Sequence, residues 1–257
     1  MIHIIIISHG HDEIIRANLR NLVVAQMSEF QIIVRDNINS PVLRDFCKLE
    51  NIRYVSSEKQ AGFAENNNKV VELLKSENLS LTDYLIFLNP DVFITPQELI
   101  KISETVKDEQ PDLFTIDLYR DEARSIRDPS VRQFPTLLDF LSAYLLKKNP
   151  TIIERNEFVE PTIIPWCAGS FIGVKAEVFM NLNGFDERYF MYCEDLDLCH
   201  RAHQANFKLI YYPQFSAVHE AQCSSQKFLS KHFRWHMSSV LRFAFINPLS
   251  RLLSIKF

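Results

Sequence analysis

Short apolar runs alternate with helical segments through the first half of the chain, and this alternation constrains the fold more than any other feature of the sequence. We predict strands over Ile4–Ile7, Gln31–Arg35, Ile52–Val55, Tyr84–Leu88 and Leu113–Leu118. Their continuous apolar and often β-branched character is typical of strands that are buried on both faces. The sequence therefore predicts an α/β fold in which helices flank both faces of a mostly parallel sheet.

The second half is less regular and ends in a basic, aromatic tail. Its patterns predict a helix over Leu137–Leu146, a helix after Asp195, a strand over Leu209–Tyr212 and an amphipathic helix over Gln226–Phe245. After Glu220 there is no acidic residue, while six Lys or Arg residues alternate with six Phe or Trp residues. This composition favours an anionic membrane surface as a partner. A helix packed on the domain with a solvated basic face is the alternative.

Composition excludes several classes of protein. The 257 residues are 47% hydrophobic and can form a sizeable core, and the net charge of −4 argues against a nucleic-acid-binding protein. Five cysteines without a CxxC pair favour the reducing cytoplasm over a disulfide framework. The N-terminus lacks a basic leader, and no stretch approaches the ~20 apolar residues of a membrane span. We therefore expect a soluble or peripheral protein.

Polar residues follow several of the predicted strands. Ligands of parallel sheets bind at the carboxyl ends of strands, which is where Ser8, Asp36 and Asp91 fall. Asp36 could accept a hydrogen bond from a pyrimidine N3–H, although an Asx turn explains it equally well. The amides of Gly62–Asn68, Asn67 among them, could approach a nucleotide. This segment is neither GxGxxG nor a Walker loop, which sets aside dinucleotide oxidoreductases and P-loop proteins.

Asp91 is a candidate metal ligand because hard cations on a diphosphate prefer oxygen ligands. The sequence Asn89-Pro90-Asp91 is also a good turn former, so the motif alone is weak. His219 follows a later strand and could complete the site as a neutral imidazole, although a lone histidine is usually structural. These residues predict a site for Mg²⁺ or Mn²⁺.

Three acidic residues, Glu194, Asp195 and Asp197, crowd the start of a predicted helix. Interaction with the helix dipole explains many such acids. Here, however, the preceding segment Tyr189–Tyr192 is aromatic and apolar, so it would desolvate a nearby carboxylate. Desolvation raises the pKa of a carboxylate and suits it to general-base catalysis, which favours a catalytic role.

Taken in order, these landmarks resemble family 2 glycosyltransferases of the GT-A fold over most of the chain. The resemblance lies in Ile4–Gly10, Val34–Asn37, Gly62–Asn68, Leu88–Val92, Trp166–Ser170, Asn183–Asp186 and Phe190–Leu198. The Asn-Pro-Asp form and the stretches Arg120–Ala123 and Phe233–His236 are similar to the rhamnosyltransferase branch of O-antigen synthesis. The implied architecture is a Rossmann-like mixed, mostly parallel sheet with a C-terminal amphipathic helical segment.

The resemblance implies an inverting transfer of L-rhamnose from dTDP-L-rhamnose to a GlcNAc-diphospho-polyprenol at the cytoplasmic face of the inner membrane. It implies a GT-A domain over 1–225, with a nucleotide-binding half (1–119) and an acceptor half (120–225), and a tail over 226–257. The implied roles are Asp195 as general base; Glu194, Trp166 and Arg234 at the acceptor; Ser8, His9, Asp36, Asn67 and Asn89 at the nucleotide; and Asp91 and His219 at the metal. The family's metal motif usually has two acids, whereas Asn89 stands beside Asp91 here.

Two other functions stay open at the level of sequence. A sugar-1-phosphate nucleotidyltransferase needs a Gly-rich, Arg-bearing loop after the first strand, and Ser8–His11 does not supply one. A non-catalytic module that binds nucleotide sugars or scaffolds a membrane would keep the same fold without turnover. The intact Glu194-Asp195 pair favours the enzyme.

Overall fold

The protein is organised around one mixed sheet. A computed structural model describes residues 1–24, 29–136, 138–140, 142, 146, 149–220 and 231–246. In chain order the strands are β1 (Ile2–Ser8), β2 (Phe30–Asp36), β3 (Arg53–Ser56), β4 (Tyr84–Leu88), β5 (Val92–Phe93), β6 (Leu113–Tyr119), β7 (Val131–Arg132), β8 (Thr162–Ile163), β9 (Trp166–Cys167), β10 (Phe171–Lys175) and β11 (Leu209–His219). The predicted run of parallel strands in the first half is confirmed.

The sheet has the order β3-β2-β1-β4-β10-β6-β11-β5, with β8 paired to β11. Strands β1 to β4 are mutually parallel, and β11 is parallel to β6. β10 runs antiparallel between β4 and β6, which brings the segment before it to the carboxyl end of β4. β11 is longer than predicted: it continues through a register shift between Tyr212 and Ser216 to His219.

Helices cover both faces of this sheet. They are α1 (Asp12–Val24), α2 (Pro41–Leu49), α3 (Phe63–Ser76), α4 (Pro96–Glu109), α5 (Ala176–Asn181), α6 (Glu194–Gln204) and α7 (Lys231–Leu241), followed by a π-helical turn over Arg242–Ile246. Ile4 and Ile6 join the core under α1, α2 and α4, whereas Ile5 joins the core under α3, α5 and α6. Successive side chains of a strand point to opposite faces, which is why its sequence is continuously apolar.

Local signals set several helix starts. Ser40 and Thr95 accept hydrogen bonds from the backbone of α2 and α4, and a proline follows each of them. Such caps satisfy backbone N–H groups that the first helical turn leaves free. Asp12 lies inside α1 and accepts a hydrogen bond from Ser40, so it ties α1 to α2.

A buried ion cluster orders the arginine-rich loop that follows β6. Asp117 is buried and contacts Arg127 at 3.0 Å and Arg155 at 3.3 Å. Arg155 also donates to the backbone carbonyl of Asp128. Breaking a buried pair of this kind leaves an uncompensated charge and is strongly destabilising. The loop is therefore fixed where it leads toward β7.

The described part of the tail packs on the domain. The Ser239 hydroxyl donates to the Met191 carbonyl at 3.0 Å, and the ring centroids of Trp235 and Phe190 are 4.8 Å apart. The proposed boundary at residue 225 and the first turns of the predicted tail helix lie outside the described residues, as does much of the predicted helix over 137–146. No helix in the described ranges has the length and apolarity to cross a membrane.

Candidate active site

The polar residues that follow the strands collect along one edge of the sheet. Ser8 and Asp36 are register partners at the ends of β1 and β2, and β4 ends next to them at Leu88. Asp91 follows β4, and His219 ends β11. The fold thus brings together side chains that the sequence separates by more than two hundred residues.

Asp91, His219 and Asp128 form a carboxylate–imidazole–carboxylate series. His219 Nε2 lies 3.6 Å from Asp91 Oδ1, and Nδ1 lies 3.3 Å from Asp128 Oδ2. Burial would lower the pKa of His219, but its contacts with Asp128 and Asp91 outweigh burial and raise that pKa to about 9. A histidine held by a carboxylate on one nitrogen presents the other in a fixed direction, as metal-binding histidines do.

Asp91 and His219 are the two candidate metal ligands in this series, and Asp128 contacts the other ring nitrogen of His219. Among the described residues, no group of three or more His, Cys, Asp or Glu side chains is arranged to hold a metal ion. Asp91 and Nε2 of His219, which faces it, nevertheless have the donor chemistry that Mg²⁺ or Mn²⁺ accepts. Two protein ligands would leave the other coordination positions to a diphosphate and to water.

The carboxylate pair Glu194–Asp195 begins α6. Asp195 Oδ2 accepts a hydrogen bond from the Gly169 N–H at 2.7 Å, and Oδ1 accepts one from the Leu196 N–H at 2.7 Å. Beside Gly169, the Ser170 carbonyl accepts the Asn89 N–H at 3.0 Å. These consecutive contacts place Asp195 at the same sheet edge as Asn89 and Asp91.

Backbone strain lies immediately before this pair. Tyr192 and Cys193 have φ values of 71° and 64°, in the left-handed region. On the other side of the loop, the Phe63 N–H donates to the Phe190 carbonyl at 3.0 Å, and a Cβ on Gly62 would lie 2.1 Å from that oxygen. Position 62 therefore needs a glycine, because any side chain there would collide with the Phe190 carbonyl. Strained residues persist only where their surroundings hold them, and here they aim the start of α6.

Burial sets the protonation of the pair. Burial first, and then the charge of Asp195, hold the pKa of Glu194 well above its usual range. Glu194 is 6% exposed, and its Oε2 has no hydrogen-bond partner within the ranges that the structure describes. Burial also raises the pKa of Asp195, although the Leu196 and Gly169 N–H groups oppose it. The predicted desolvation by an apolar entry segment is thus present in the structure.

The residues predicted at the nucleotide differ in their exposure. His9 is exposed, and its Nδ1 lies 3.2 Å from the side-chain amide of Asn37. Asn89 is partly buried, and its side-chain amide makes no hydrogen bond to the described residues. Ser8 is fully buried, and Asp36 is fully buried and accepts hydrogen bonds from Ile38, Ser40 and Tyr54, which is the alternative turn interpretation. Direct nucleotide contacts by Ser8 and Asp36 stay predictions.

Asn67 lies apart from the exposed edge. It has no exposed surface, and its amide donates to the Phe63 carbonyl within α3 at 2.9 Å. Its neighbour Asn66 accepts a hydrogen bond from Arg35, and Asn68 bonds the backbone of Phe185. In this geometry the asparagine run braces α3, and a nucleotide contact by Asn67 stays a prediction that the burial does not support.

The two remaining residues predicted at the acceptor differ in exposure. Trp166 is 7% exposed, and its Nε1–H has no hydrogen-bond partner among the described residues. Arg234 is exposed on α7, next to Trp235, which packs on Phe190. The tail therefore reaches the loop that precedes Glu194.

Sequence analysis missed three residues of this edge. Asp128 lies in the loop after β6 and Arg132 in the two-residue strand β7, and no periodic pattern in the sequence marks either position. The pKa of His11 is lowered by burial while the charge of Asp91 opposes this, which places His11 beside the metal candidate. His11 follows the first predicted strand closely, so its position was the available signal.

Comparison with known proteins identifies the family of the chain. The sequence model of the family described as Glycosyl transferase family 2 matches residues 3–182. The chain belongs to this family. It is 41% identical over 245 residues to "Rhamnosyltransferase WbbL" of Escherichia coli (strain K12), which covers 95% of this chain and 92% of that protein. The chain is therefore a glycosyltransferase, as the resemblance implied.

Two further relatives extend the comparison. An N-acetylglucosaminyl-diphospho-decaprenol L-rhamnosyltransferase of Mycobacterium tuberculosis is 32% identical over 168 residues, which is 63% of this chain and 54% of that protein. The crystal structure of GalNAc-T7 with UDP, GalNAc and Mn²⁺ superposes with a TM-score of 0.62 at 14% identity and covers 94% of this chain. The match spans 47% of the length of the GalNAc-T7 chain. The structural likeness confirms the expected GT-A-like fold.

We predict that Glu194→Gln stabilises the protein increasingly as the pH rises. Because burial raises the folded-state pKa, the carboxyl group's contribution to stability is complete below its unfolded pKa and is lost as pH rises through the folded pKa. The amide removes this loss, so the gain in free energy of unfolding over wild type should grow from about pH 4 to pH 8. Urea unfolding across this range measures it, with exposed Glu122→Gln as control. A gain that does not change with pH would contradict the assignment.

Proposed function

We propose that this glycosyltransferase moves L-rhamnose from dTDP-L-rhamnose to a GlcNAc-diphospho-polyprenol, with inversion at the anomeric carbon. The observation that supports this proposal most strongly is the pair of buried Glu194 and partly buried Asp195, held at the same sheet edge as Asp91 and His219. The identity to the Escherichia coli rhamnosyltransferase supports the sugar. The name of the mycobacterial relative supports a lipid diphosphate that carries GlcNAc.

In this proposal Asp195 is the general base. It takes the proton from the acceptor hydroxyl while that oxygen bonds to the anomeric carbon and the bond from that carbon to the dTDP oxygen breaks. Gly169 and Leu196 each occupy one carboxylate oxygen, which fixes the carboxylate and leaves further lone pairs for the proton. The raised pKa strengthens Asp195 as a base. Glu194 supports the acceptor side from its buried position.

The donor diphosphate fits beside Asp91 and His219. His9 and Asn89 have side chains that reach the cleft, so we assign direct donor contacts to them, while Ser8 and Asp36 shape the loops beneath. Mg²⁺ or Mn²⁺ held by Asp91 and His219 would offset the negative charge of the departing diphosphate. Asp128 keeps the His219 ring in place for this role.

The acceptor fits on the other side, between Trp166 and the tail. Trp166 offers an indole N–H that has no partner in the described part of the chain, and Arg234 offers an exposed guanidinium on α7. A guanidinium is suited to bidentate contact with a lipid diphosphate. We propose that the tail also contacts an anionic membrane, at the cytoplasmic face of the inner membrane, where a polyprenol-linked acceptor is presented.

Asp195→Asn should lower kcat by ~10²–10⁴ because the amide cannot accept the proton. Affinity for dTDP should not change, because Asp195 contacts the acceptor hydroxyl and not the nucleotide. Product formation from dTDP-L-rhamnose and a synthetic GlcNAc-diphospholipid gives kcat, and calorimetry gives the affinity. Near-normal turnover would remove Asp195 from the role of base.

Asp91→Asn and His219→Ala should each weaken dTDP-dependent Mn²⁺ binding at least ~10-fold, since even outer-shell losses cost that much. Electron paramagnetic resonance of free Mn²⁺ measures binding without reference to turnover. Exposed Asp45→Asn is the matched control and should bind as wild type does. Equal Mn²⁺ affinity in all four proteins would reject the metal assignment.

Lys231→Gln combined with Arg234→Gln should weaken binding to anionic vesicles roughly 30-fold, from about 1 kcal/mol for each basic residue near the surface. Both residues are exposed on α7, so the fold should not change. Flotation with phosphatidylglycerol vesicles at low salt measures binding. The control exchanges exposed Lys101 and Lys107 of α4 in the same way. Equal flotation of the two double variants would contradict a specific membrane face.

A further inference from the structure

Arg132 occupies an unusual position beside the candidate active site. It lies in β7 and pairs with Trp166 of β9, and its guanidinium carbon is 5.1 Å from the centroid of the Trp166 ring. Its Nε donates to the Pro129 carbonyl at 2.6 Å. Stacking and this hydrogen bond fix the plane of the guanidinium, and its two terminal nitrogens remain as donors.

Those terminal nitrogens have no acidic partner in the described part of the chain. No carboxylate there makes an ion-pair contact with Arg132, and its terminal nitrogens make no hydrogen bond. The neighbouring arginines differ: Arg127 and Arg155 contact Asp117 at 3.0 and 3.3 Å, and Arg120 contacts Asp128 at 3.4 Å. Desolvated charges in proteins are normally paired, so an unpaired one suggests an anionic ligand.

The position of Arg132 relates it both to Asp195, the general-base candidate, and to Asp128, which contacts His219. Burial lowers its pKa, while the charges of Asp195 and Asp128 act in the opposite direction, so it lies within electrostatic reach of both carboxylates. Its strand partner Trp166 is followed three residues later by Gly169, which holds Asp195. The strand pairing with Trp166 therefore puts Arg132 next to the segment that holds the general-base candidate.

We propose that Arg132 binds a substrate diphosphate through its two terminal nitrogens. The assignment rests on the proposed function, because it needs a diphosphate-bearing substrate in this cleft. A planar fork matches two phosphate oxygens, and the stack on Trp166 sets its plane before the ligand arrives. A direct ion pair between Arg132 and Asp195 would lower the pKa of that carboxylate and make it a weaker base. Because Arg132 makes no such contact, Asp195 keeps its strength as a base.

Diphosphate in this cleft can come from the nucleotide or from the lipid acceptor, and Arg132→Gln separates the two. In the first arm, calorimetry in EDTA compares dTDP with dTMP, so that no cation contributes. In the second arm, KM is compared for a GlcNAc-diphospholipid and a GlcNAc-monophospholipid. Arg132→Lys retains the charge without the fork, and exposed Arg124→Gln in the same loop is the matched control.

We expect a loss of ~10- to 100-fold in one arm, as for a hydrogen-bonded charge. Weaker dTDP binding with unchanged dTMP binding identifies the nucleotide, and a higher KM for the diphospholipid alone identifies the lipid. The affinity or KM of Arg132→Lys should lie between the values for wild type and Arg132→Gln. If the glutamine variant does not fold, the lysine variant tests the assignment instead.

Three outcomes would overturn the assignment. The first is wild-type behaviour of Arg132→Gln in both arms. The second is an equal loss for the diphosphate and monophosphate ligands together with a lower melting temperature, which indicates a structural role. The third is a wild-type protein that neither binds dTDP nor transfers sugar, which would reject the proposed function as well, whereas the first two leave that function standing.

Discussion

The hydrogen bond from the Gly169 N–H to Asp195 holds the start of α6 at the functional edge of the sheet. It connects the segment before β10 to the start of α6, and the next residue, Ser170, accepts the N–H of Asn89. Because β10 is antiparallel between β4 and β6, this segment returns to the edge where the parallel strands end. These contacts hold the base candidate at the same edge of the sheet as the metal candidates.

Much of the first half could be predicted from its sequence, because its strands are short, apolar and separated by helices with clear caps. Strand ends then indicated Asp91, and the acidic helix start indicated Asp195, since both positions follow from local chemistry. His219 was harder to assign, because a single histidine carries little information until its neighbours are known. Its contacts with Asp91 and Asp128 supply that information.

The parts that could not be predicted depend on long-range packing. Asp128 lies in the irregular loop after β6, and Arg132 lies in the two-residue strand β7 that follows this loop. The buried contacts of Asp117 with Arg127 and Arg155 order the loop. A network of this kind leaves no periodic pattern in the sequence. The same holds for Asn67, whose residue type fits a nucleotide contact although its helix face is buried in the core.

The central claim is that transfer occurs by a single displacement with Asp195 as base. The stereochemistry of the product tests this most directly. Nuclear magnetic resonance of the product made from dTDP-β-L-rhamnose and a synthetic GlcNAc-diphospholipid would report the anomeric configuration of the new bond. One displacement predicts the α-linked rhamnoside alone. A β-linked product, which retains the configuration of the donor, would contradict it.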